Sequence, residues 1–272
     1  MSFSFALHRI GLFAAVLLGC QLSFSLPLSS ARLQPKQEST PSATISIGFD
    51  GKVKLGKWVP IFISLDPSTS AAKFEVENLD GDDTPVIYKG PLLSDPKFPG
   101  RYQAWTRIGR TYGKFELRLL NAADDIIETK QFNFTGSDRV EEFIGSTQEL
   151  VLTLEPQDLF KKSIESVSSL ASREDARIIA ALGEKSILPF NWLGYDSGDA
   201  ILMVTSDLER IDRISDVQLD AIETWVKQGG TLILSAASNA DRLLSENGRL
   251  ARFCPGNFVG LGECNNSSRL ET

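Results

Sequence analysis

Residues 44 to 134 alternate between apolar and polar side chains in short runs that turn residues separate. Alternation with a period of two is typical of strands that bury one face. It predicts strands over residues 44–49, 52–55, 58–65, 73–76, 86–89, 101–108, 114–120 and 126–134. Asp50-Gly51 has the composition of a tight turn between two strands. So many short strands without a helical period predict a β-sandwich over residues 44–136.

The pattern after residue 148 consists of continuous apolar runs. Strands are predicted over residues 149–154, 200–205 and 231–236, and the run 177–182 is read either as a strand or as a short helix. Strands that are apolar throughout belong to parallel sheets, because helices cover both faces of such sheets. Residues 149–262 are therefore expected to form an α/β domain.

Two helices are predicted between these strands. One follows Pro156 and covers Gln157 to about Ala171. The other begins after the N-capping residue Ser215 and ends at Gly229-Gly230. The positions expected to be buried on this second helix are Val217, Ile222, Trp225 and Val226.

The amino-terminal region has the pattern of an export signal. Arg9 precedes an apolar run over residues 10–19 that is too short to span a bilayer. Residues 1–31 are therefore predicted to be a signal peptide, cleaved after Ala31. A lipobox reading makes Cys20 the acylated amino terminus, and a third reading leaves the stretch uncleaved in the membrane. The protein is expected in the periplasm or cell envelope, with membrane contact only through an amino-terminal lipid anchor.

The remaining segments are predicted to connect or follow these modules. Residues 32–43 and 137–148 are expected to be linkers, and the polar residues 263–272 a disordered tail. The fold class is thus α+β and multidomain, with an amino-terminal β-sandwich followed by a partial flavodoxin-like α/β domain with a parallel sheet.

Charge and residue usage narrow the function. The chain of 272 residues has 28 Lys and Arg against 35 Asp and Glu, a net charge of −7 that disfavours nucleic acid as a partner. Its one histidine, His8, lies in the predicted signal peptide. A mature chain without imidazole has no Ser-His-Asp or Cys-His catalytic arrangement and no histidine-based metal site. No cofactor is expected, because no glycine-rich loop is placed to bind phosphate.

Two stretches resemble a known family. The first is Trp192 to Thr205, and the second, more specific one runs from Ile214 through Trp225 and Gly229-Gly230-Thr231 to Leu234. They resemble the class I glutamine amidotransferase-like domains of bacterial cell-envelope proteins. In addition, Leu55-Gly56-Lys57-Trp58-Val59-Pro60 looks like the β-module that precedes this domain in large envelope proteins of planctomycete type.

The resemblance implies a flavodoxin-like sheet but no catalysis. Amidotransferases place a nucleophilic cysteine on a strand-to-helix turn and use a histidine and a glutamate further on. This chain has no cysteine between Cys20 and Cys254, so no catalytic residue is carried over. The envelope relatives continue into more sheet and a membrane segment, so the α/β domain is expected to be incomplete, as in a truncated gene product.

A few polar residues remain as candidates for binding. Thr205 ends a predicted strand and Ser206 and Asp207 follow it, where open α/β sheets bind ligands. Asp196 and Asp199 could join them. The same residue types also simply form turns. Cys254 and Cys264 are read either as a disulfide or as two free thiols.

The leading interpretation is a non-catalytic exported scaffold or interaction protein whose partners are other envelope proteins. The alternative is a ligand-binding or hydrolytic domain that uses carboxylates at the carboxyl edge of the α/β sheet. The alternative predicts several carboxylates with shifted pKa values in one closed pocket.

Overall fold

Eight strands from the alternating region build two antiparallel sheets. The computed structural model describes residues 43–132, 142–155, 177–182 and 186–262. The strands up to residue 132 are β1 (Ala43–Ile47), β2 (Lys52–Lys54), β3 (Trp58–Leu65), β4 (Lys73–Leu79), β5 (Pro85–Pro91), β6 (Leu93–Ser94), β7 (Arg101–Arg107), β8 (Glu116–Leu120) and β9 (Ile126–Gln131). The order β1-β3-β7-β6 forms the first antiparallel sheet, and β5-β4-β8-β9 forms the second.

Buried side chains of both antiparallel sheets form one apolar cluster. Along β4, Phe74 and Val76 are buried and their neighbours are half-buried, as the alternating pattern predicts. Ile61 of β3 and Leu117 of β8 belong to the same cluster. We call residues 43–132, which contain these two sheets and strand β2, the antiparallel part.

The turn at Asp50-Gly51 is confirmed, but the hairpin is short. Both residues have positive φ angles, 50° and 69°, and Phe49 exchanges backbone hydrogen bonds with Lys52. β1 then pairs with β3, whereas β2 pairs in parallel with β10 (Glu142–Ile144). Strand β10 thus lies within residues 137–148, which were expected to be a linker.

The continuous apolar runs form a four-stranded parallel sheet. Its strands are β11 (Glu149–Leu154), β12 (Arg177–Ala181), β13 (Ala200–Val204) and β14 (Thr231–Ser235), and their order is β12-β11-β13-β14. All neighbouring pairs are parallel. The run 177–182, which was open between strand and helix, therefore contains a strand. β14 is an edge strand, and its Ile233 is 49% exposed.

Three short helices accompany the parallel sheet in the described part of the chain. They are α1 (Leu208–Arg213), α2 (Asp216–Lys227) and α3 (Ala240–Leu244), with 3-10 turns at Trp192–Tyr195, Ala237–Asn239 and Ala251–Phe253. Ser215 caps α2 in a capping box with Gln218, as expected from the sequence. At the other end Gly229 has a φ of 104°, and the Gly230 N–H bonds to the Trp225 carbonyl in a Schellman motif.

The buried face of α2 agrees with three of the four predicted positions and also includes Gln218, Leu219 and Ala221, which were not predicted. Ile222 and Trp225 are buried and Val226 packs against the core. Val217, however, is 46% exposed, so its predicted burial was wrong. Gln218 occupies the inward position instead, because the face that meets the core follows i, i+3, i+4 and i+7 from this residue.

Several expectations fall outside the described residues. These are the signal peptide with Cys20, most of the 32–43 linker, the helix from Gln157 to Ala171, and the 263–272 tail with Cys264. In the part of the chain that the structure does describe, no helix combines the length and apolar character needed to cross a membrane.

Candidate functional site

Thr205 stands at the carboxyl end of β13, where the sequence places a candidate ligand group. Its backbone N–H donates to the Ser235 carbonyl at 3.0 Å, and its hydroxyl donates to the Ser235 and Ala236 carbonyls, each at 3.1 Å. The Thr205 carbonyl accepts from the Asn239 amide at 2.8 Å. The buried threonine therefore ties β13 to the chain that follows β14.

Asp207 and Ser206 form the start of α1. The Asp207 carboxylate caps the helix by accepting from the Arg210 backbone N–H at 3.1 Å. Ser206 is exposed. The turn that the sequence offered as a ligand site thus contains a helix cap, and sequence reasoning had not predicted the helix itself.

Asp196 and Asp199 lie at the opposite end of β13. The five residues of this strand lie between Asp199 and Thr205, which are therefore about 20 Å apart at ~3.3 Å per residue. Asp196 accepts from the Trp58 backbone N–H at 3.1 Å and faces Lys57 at 3.6 Å. The five candidate residues are therefore not brought together into one site.

Asp199 connects the parallel sheet to the antiparallel part. Its Oδ2 accepts from the Lys54 ammonium at 2.5 Å and from the Leu150 backbone N–H at 2.7 Å. The Lys54 side chain is 5% exposed, whereas that of Asp199 is 40% exposed. The pair is thus a half-buried ion pair between residues 145 positions apart in the chain.

A second polar contact joins the two parts through residues 188–190. The Leu188 carbonyl accepts from the side-chain amide of Gln103 on β7 at 2.8 Å and from that of Gln218 on α2 at 2.9 Å. Gln103 also accepts from the Phe190 N–H at 2.7 Å. All three bonds are buried. The side-chain amide of Gln103 bonds to residues 188 and 190, so it is satisfied only when both parts are in place.

Aromatic rings fill the space beside these bonds. Phe49 stacks on Tyr195 with ring centroids 6.2 Å apart, and Tyr195 lies 6.1 Å from Trp225. Burial raises the pKa of the Tyr195 hydroxyl well above its ordinary value, and this hydroxyl donates to the Pro189 carbonyl. Together with the bonds of Asp196, Asp199 and Gln103, these rings form what we call the joint.

A cleft of about 570 Å³ opens at the carboxyl edge of the parallel sheet. The described residues that line it come from the β6–β7 connection, the ends of β11 and β12, residues 186–188, and the junction of α1 with α2. Four of them are cationic and two are anionic: Lys97, Arg101, Arg210 and Arg213, with Asp95 and Asp212. Sequence reasoning missed this cleft, since its cations lie in an unpredicted helix, in a connection between predicted strands and at the first residue of one of those strands.

The carboxyls whose pKa is lowered lie elsewhere. A hydrogen bond from Lys114 holds the pKa of Glu77 below its usual value, and bonds from Gln131 and Arg118 do the same for Glu116. These residues belong to the second antiparallel sheet or directly precede one of its strands. They form a structural ion-pair network and do not surround a cavity that the described residues line.

The structure describes only one of the two cysteines whose pairing the sequence leaves open. Cys254 is a free, half-buried thiol beside the Leu244 carbonyl, and Cys264 lies outside the described residues. Among the residues that the structure covers, no group of three or more His, Cys, Asp or Glu side chains is placed to hold a metal ion.

Comparison with known proteins adds no relative. No protein-family model matches the chain. A search of curated proteins likewise finds no match.

Proposed function

We propose that this protein is a non-catalytic scaffold or interaction protein exported to the cell envelope. In this proposal the antiparallel part is a β-sandwich, and the parallel sheet is the partial flavodoxin-like domain of a degenerate amidotransferase-like protein. Its partners are other envelope proteins.

The strand order supports the flavodoxin-like assignment. Numbered along the chain, β12-β11-β13-β14 reads 2-1-3-4, which matches the first four positions of the flavodoxin-like order 2-1-3-4-5. The two antiparallel sheets with a shared core support the sandwich assignment in the same way.

The joint is the observation that carries the scaffold role. Asp196 and Asp199, the carboxylates nearest the resemblance to amidotransferases, bond to the backbone of Trp58 and to Lys54 of the antiparallel part. Thr205 and Asp207 bond to the backbone at the other end of β13. An enzyme would direct such polar groups toward a substrate. Here Asp196 and Asp199 instead hold the parallel sheet against the antiparallel part, and a scaffold requires such a rigid connection.

Fractionation of the native host tests export and assembly. We expect the protein in the envelope fraction, without residues 1–19 by mass spectrometry, and after mild chemical cross-linking in species well above the 29.8 kDa of the chain. Recovery of the intact amino terminus from the cytosol would overturn the export proposal. Exclusive recovery as an uncross-linked monomer would overturn the scaffold proposal.

An ammonia-release assay tests the absence of catalysis. Purified protein incubated with glutamine should release no ammonia above the buffer blank, because no thiolate or imidazole is available at the end of β13. Ser206→Ala serves as the matched variant, since Ser206 is the exposed hydroxyl at this position. Turnover that disappears in Ser206→Ala would overturn the proposal.

A further inference from the structure

The cleft at the carboxyl edge of the parallel sheet has the position of a ligand site. Leu154 ends β11 and Leu182 follows β12, and both line the cleft. The order β12-β11-β13 reverses direction at β11, and open α/β sheets bind ligands outside the carboxyl ends of strands at such a reversal. The volume of about 570 Å³ is that of a site for a small organic molecule.

The described lining of the cleft has an excess of positive charge, whereas the chain as a whole has an excess of negative charge. The protein has a net charge of −7, yet the described lining residues include four cations and two carboxylates. Both carboxylates have partners: Asp95 accepts from the Lys97 backbone N–H at 2.8 Å, and Asp212 pairs with Arg242 at 3.1 Å. A local excess of positive charge in a concave site attracts anions.

Two of the guanidinium groups are held in place by contacts with the rest of the protein. The Arg101 guanidinium lies over the Phe98 ring, 4.4 Å from its centroid. Arg210 is buried and donates to the carbonyls of Glu155 and Leu182 at the ends of β11 and β12. Preorganised guanidinium groups match the geometry of carboxylate and phosphate oxygens.

The lining also includes apolar side chains, beside the polar residues Ser186, Ser215 and Gln218. Leu154, Leu182, Leu188 and Ile214 contribute aliphatic side chains next to these cations. A bare inorganic ion would leave this surface unused, whereas a molecule with an apolar body would cover it.

We propose that this cleft binds a small organic anion, with its carboxylate or phosphate group at Arg101 and Arg213 and its apolar body against Leu154, Leu182 and Ile214. In this site cationic side chains contact the ligand, whereas the alternative drawn from the sequence was a site built from carboxylates. The cleft lies at the carboxyl ends of β11 and β12. The proposal is independent of the scaffold role.

Isothermal titration calorimetry with four probes tests the site in the purified chain. Phenyl phosphate and benzoate carry both features, inorganic phosphate lacks the apolar body, and benzyl alcohol lacks the charge. We expect at least one of the two aromatic anions to bind with a Kd of about 1 mM or tighter. Binding should be at least tenfold weaker for the other two probes.

Two variants locate the binding. Arg101→Gln with Arg213→Gln should weaken binding of the aromatic anion at least tenfold, because both guanidinium groups line the cleft. Arg213 is exposed and Arg101 is half-buried, so the double variant should still fold. Arg110→Gln, which removes one charge from the exposed pair with Asp83, is the matched control and should leave affinity unchanged. Unaltered circular dichroism verifies that each variant is folded.

Three results would overturn the proposal. The first is no heat of binding with either aromatic anion in the wild-type protein. The second is equal affinity in the folded double variant, which would place the anion elsewhere. The third is equal affinity for inorganic phosphate and phenyl phosphate, which would show that the apolar body of the ligand adds nothing to binding.

Discussion

Lys54 of the antiparallel part pairs with Asp199, whose carboxylate is also exposed to water. The two residues of this ion pair should therefore respond differently to mutation. Asp199→Ala leaves the ammonium buried without its partner, and we expect a loss of about 2 to 3 kcal/mol. This is below the ~3–5 kcal/mol typical of fully buried pairs, because the Asp199 side chain is 40% exposed. Lys54→Met keeps the apolar stem and should cost about 1 kcal/mol or less. Urea denaturation measures both, and equal losses would contradict the expectation.

Trp225 fills the core where α2 meets the joint. It is 5% exposed, and a Cβ atom on Gly230 would lie 2.2 Å from its ring. Trp225→Ala should lower the free energy of unfolding by about 3 to 5 kcal/mol because it leaves a large cavity. Val217→Ala on the exposed side of the same helix is the control and should change it by less than about 0.5 kcal/mol. A Trp225→Ala loss below about 1 kcal/mol would show that the helix is loosely packed.

Single residues were predictable where one local pattern determines them. The periodicity of α2 correctly indicated Ile222 and Trp225, but Val217 lies one residue before the buried face and was misassigned. The roles of Asp196 and Asp199 were not predictable, because their partners Trp58 and Lys54 are 138 and 145 positions away. No spacing in the sequence indicates such contacts.

At the scale of elements, strand β8 carries a carboxyl whose ionisation stabilises the fold. Gln131 and Arg118 hold the pKa of Glu116 below its ordinary value of 4.5. A group with a lowered folded-state pKa stabilises the protein above its unfolded-state value, and this contribution is lost as the pH falls through the lower, folded-state value. Glu116→Gln should therefore lose less stability below pH 4.5 than the wild type.

Unfolding free energies measured over a series of acidic pH values test this. Gln131→Leu removes the main cause of the lowered Glu116 pKa. Like Glu116→Gln, it should make the free energy of unfolding fall less steeply as the pH is lowered. Identical acid dependence in the wild type and in Glu116→Gln would contradict the assignment.

Elements with a strong period were easier to predict than short ones. Alternation indicated the strands of the antiparallel part, and apolar runs indicated β11, β13 and β14. Helix α1 has only six residues, so it shows no full period, and its Asp207 cap was read as a ligand group. The pairing of β2 with β10 was also missed, because β10 has only three residues and lies in a segment that was expected to be a linker.

At the scale of the whole molecule, the joint should make both parts unfold together. The buried bonds of Gln103 to Leu188 and Phe190, with the Lys54–Asp199 pair, are lost if either part opens. Hydrogen exchange in rising urea should therefore give the amides of β3 and of β13 the same free energy of opening. A clearly lower value for β13 would show that the parallel sheet opens alone.

The general organisation was predictable and the attachment of its parts was not. Both antiparallel strands and a parallel sheet follow from hydrophobic periodicity along the chain. The joint and the cationic cleft depend on side chains from distant segments, such as Arg101 and Arg213, that meet only after folding. The sequence pattern that predicts strands contains no information about such encounters.

The edge position of β14 has a practical consequence for handling the purified protein. One side of its backbone has no strand partner among the described residues, and Ile233 in the same strand is half-exposed. An unpaired edge with exposed apolar side chains can pair with strands of other molecules. Ile233→Lys should raise the concentration at which light scattering first detects aggregates. Val217→Lys, an equally exposed apolar position on a helix, should have a much smaller effect, because no free strand edge accompanies it.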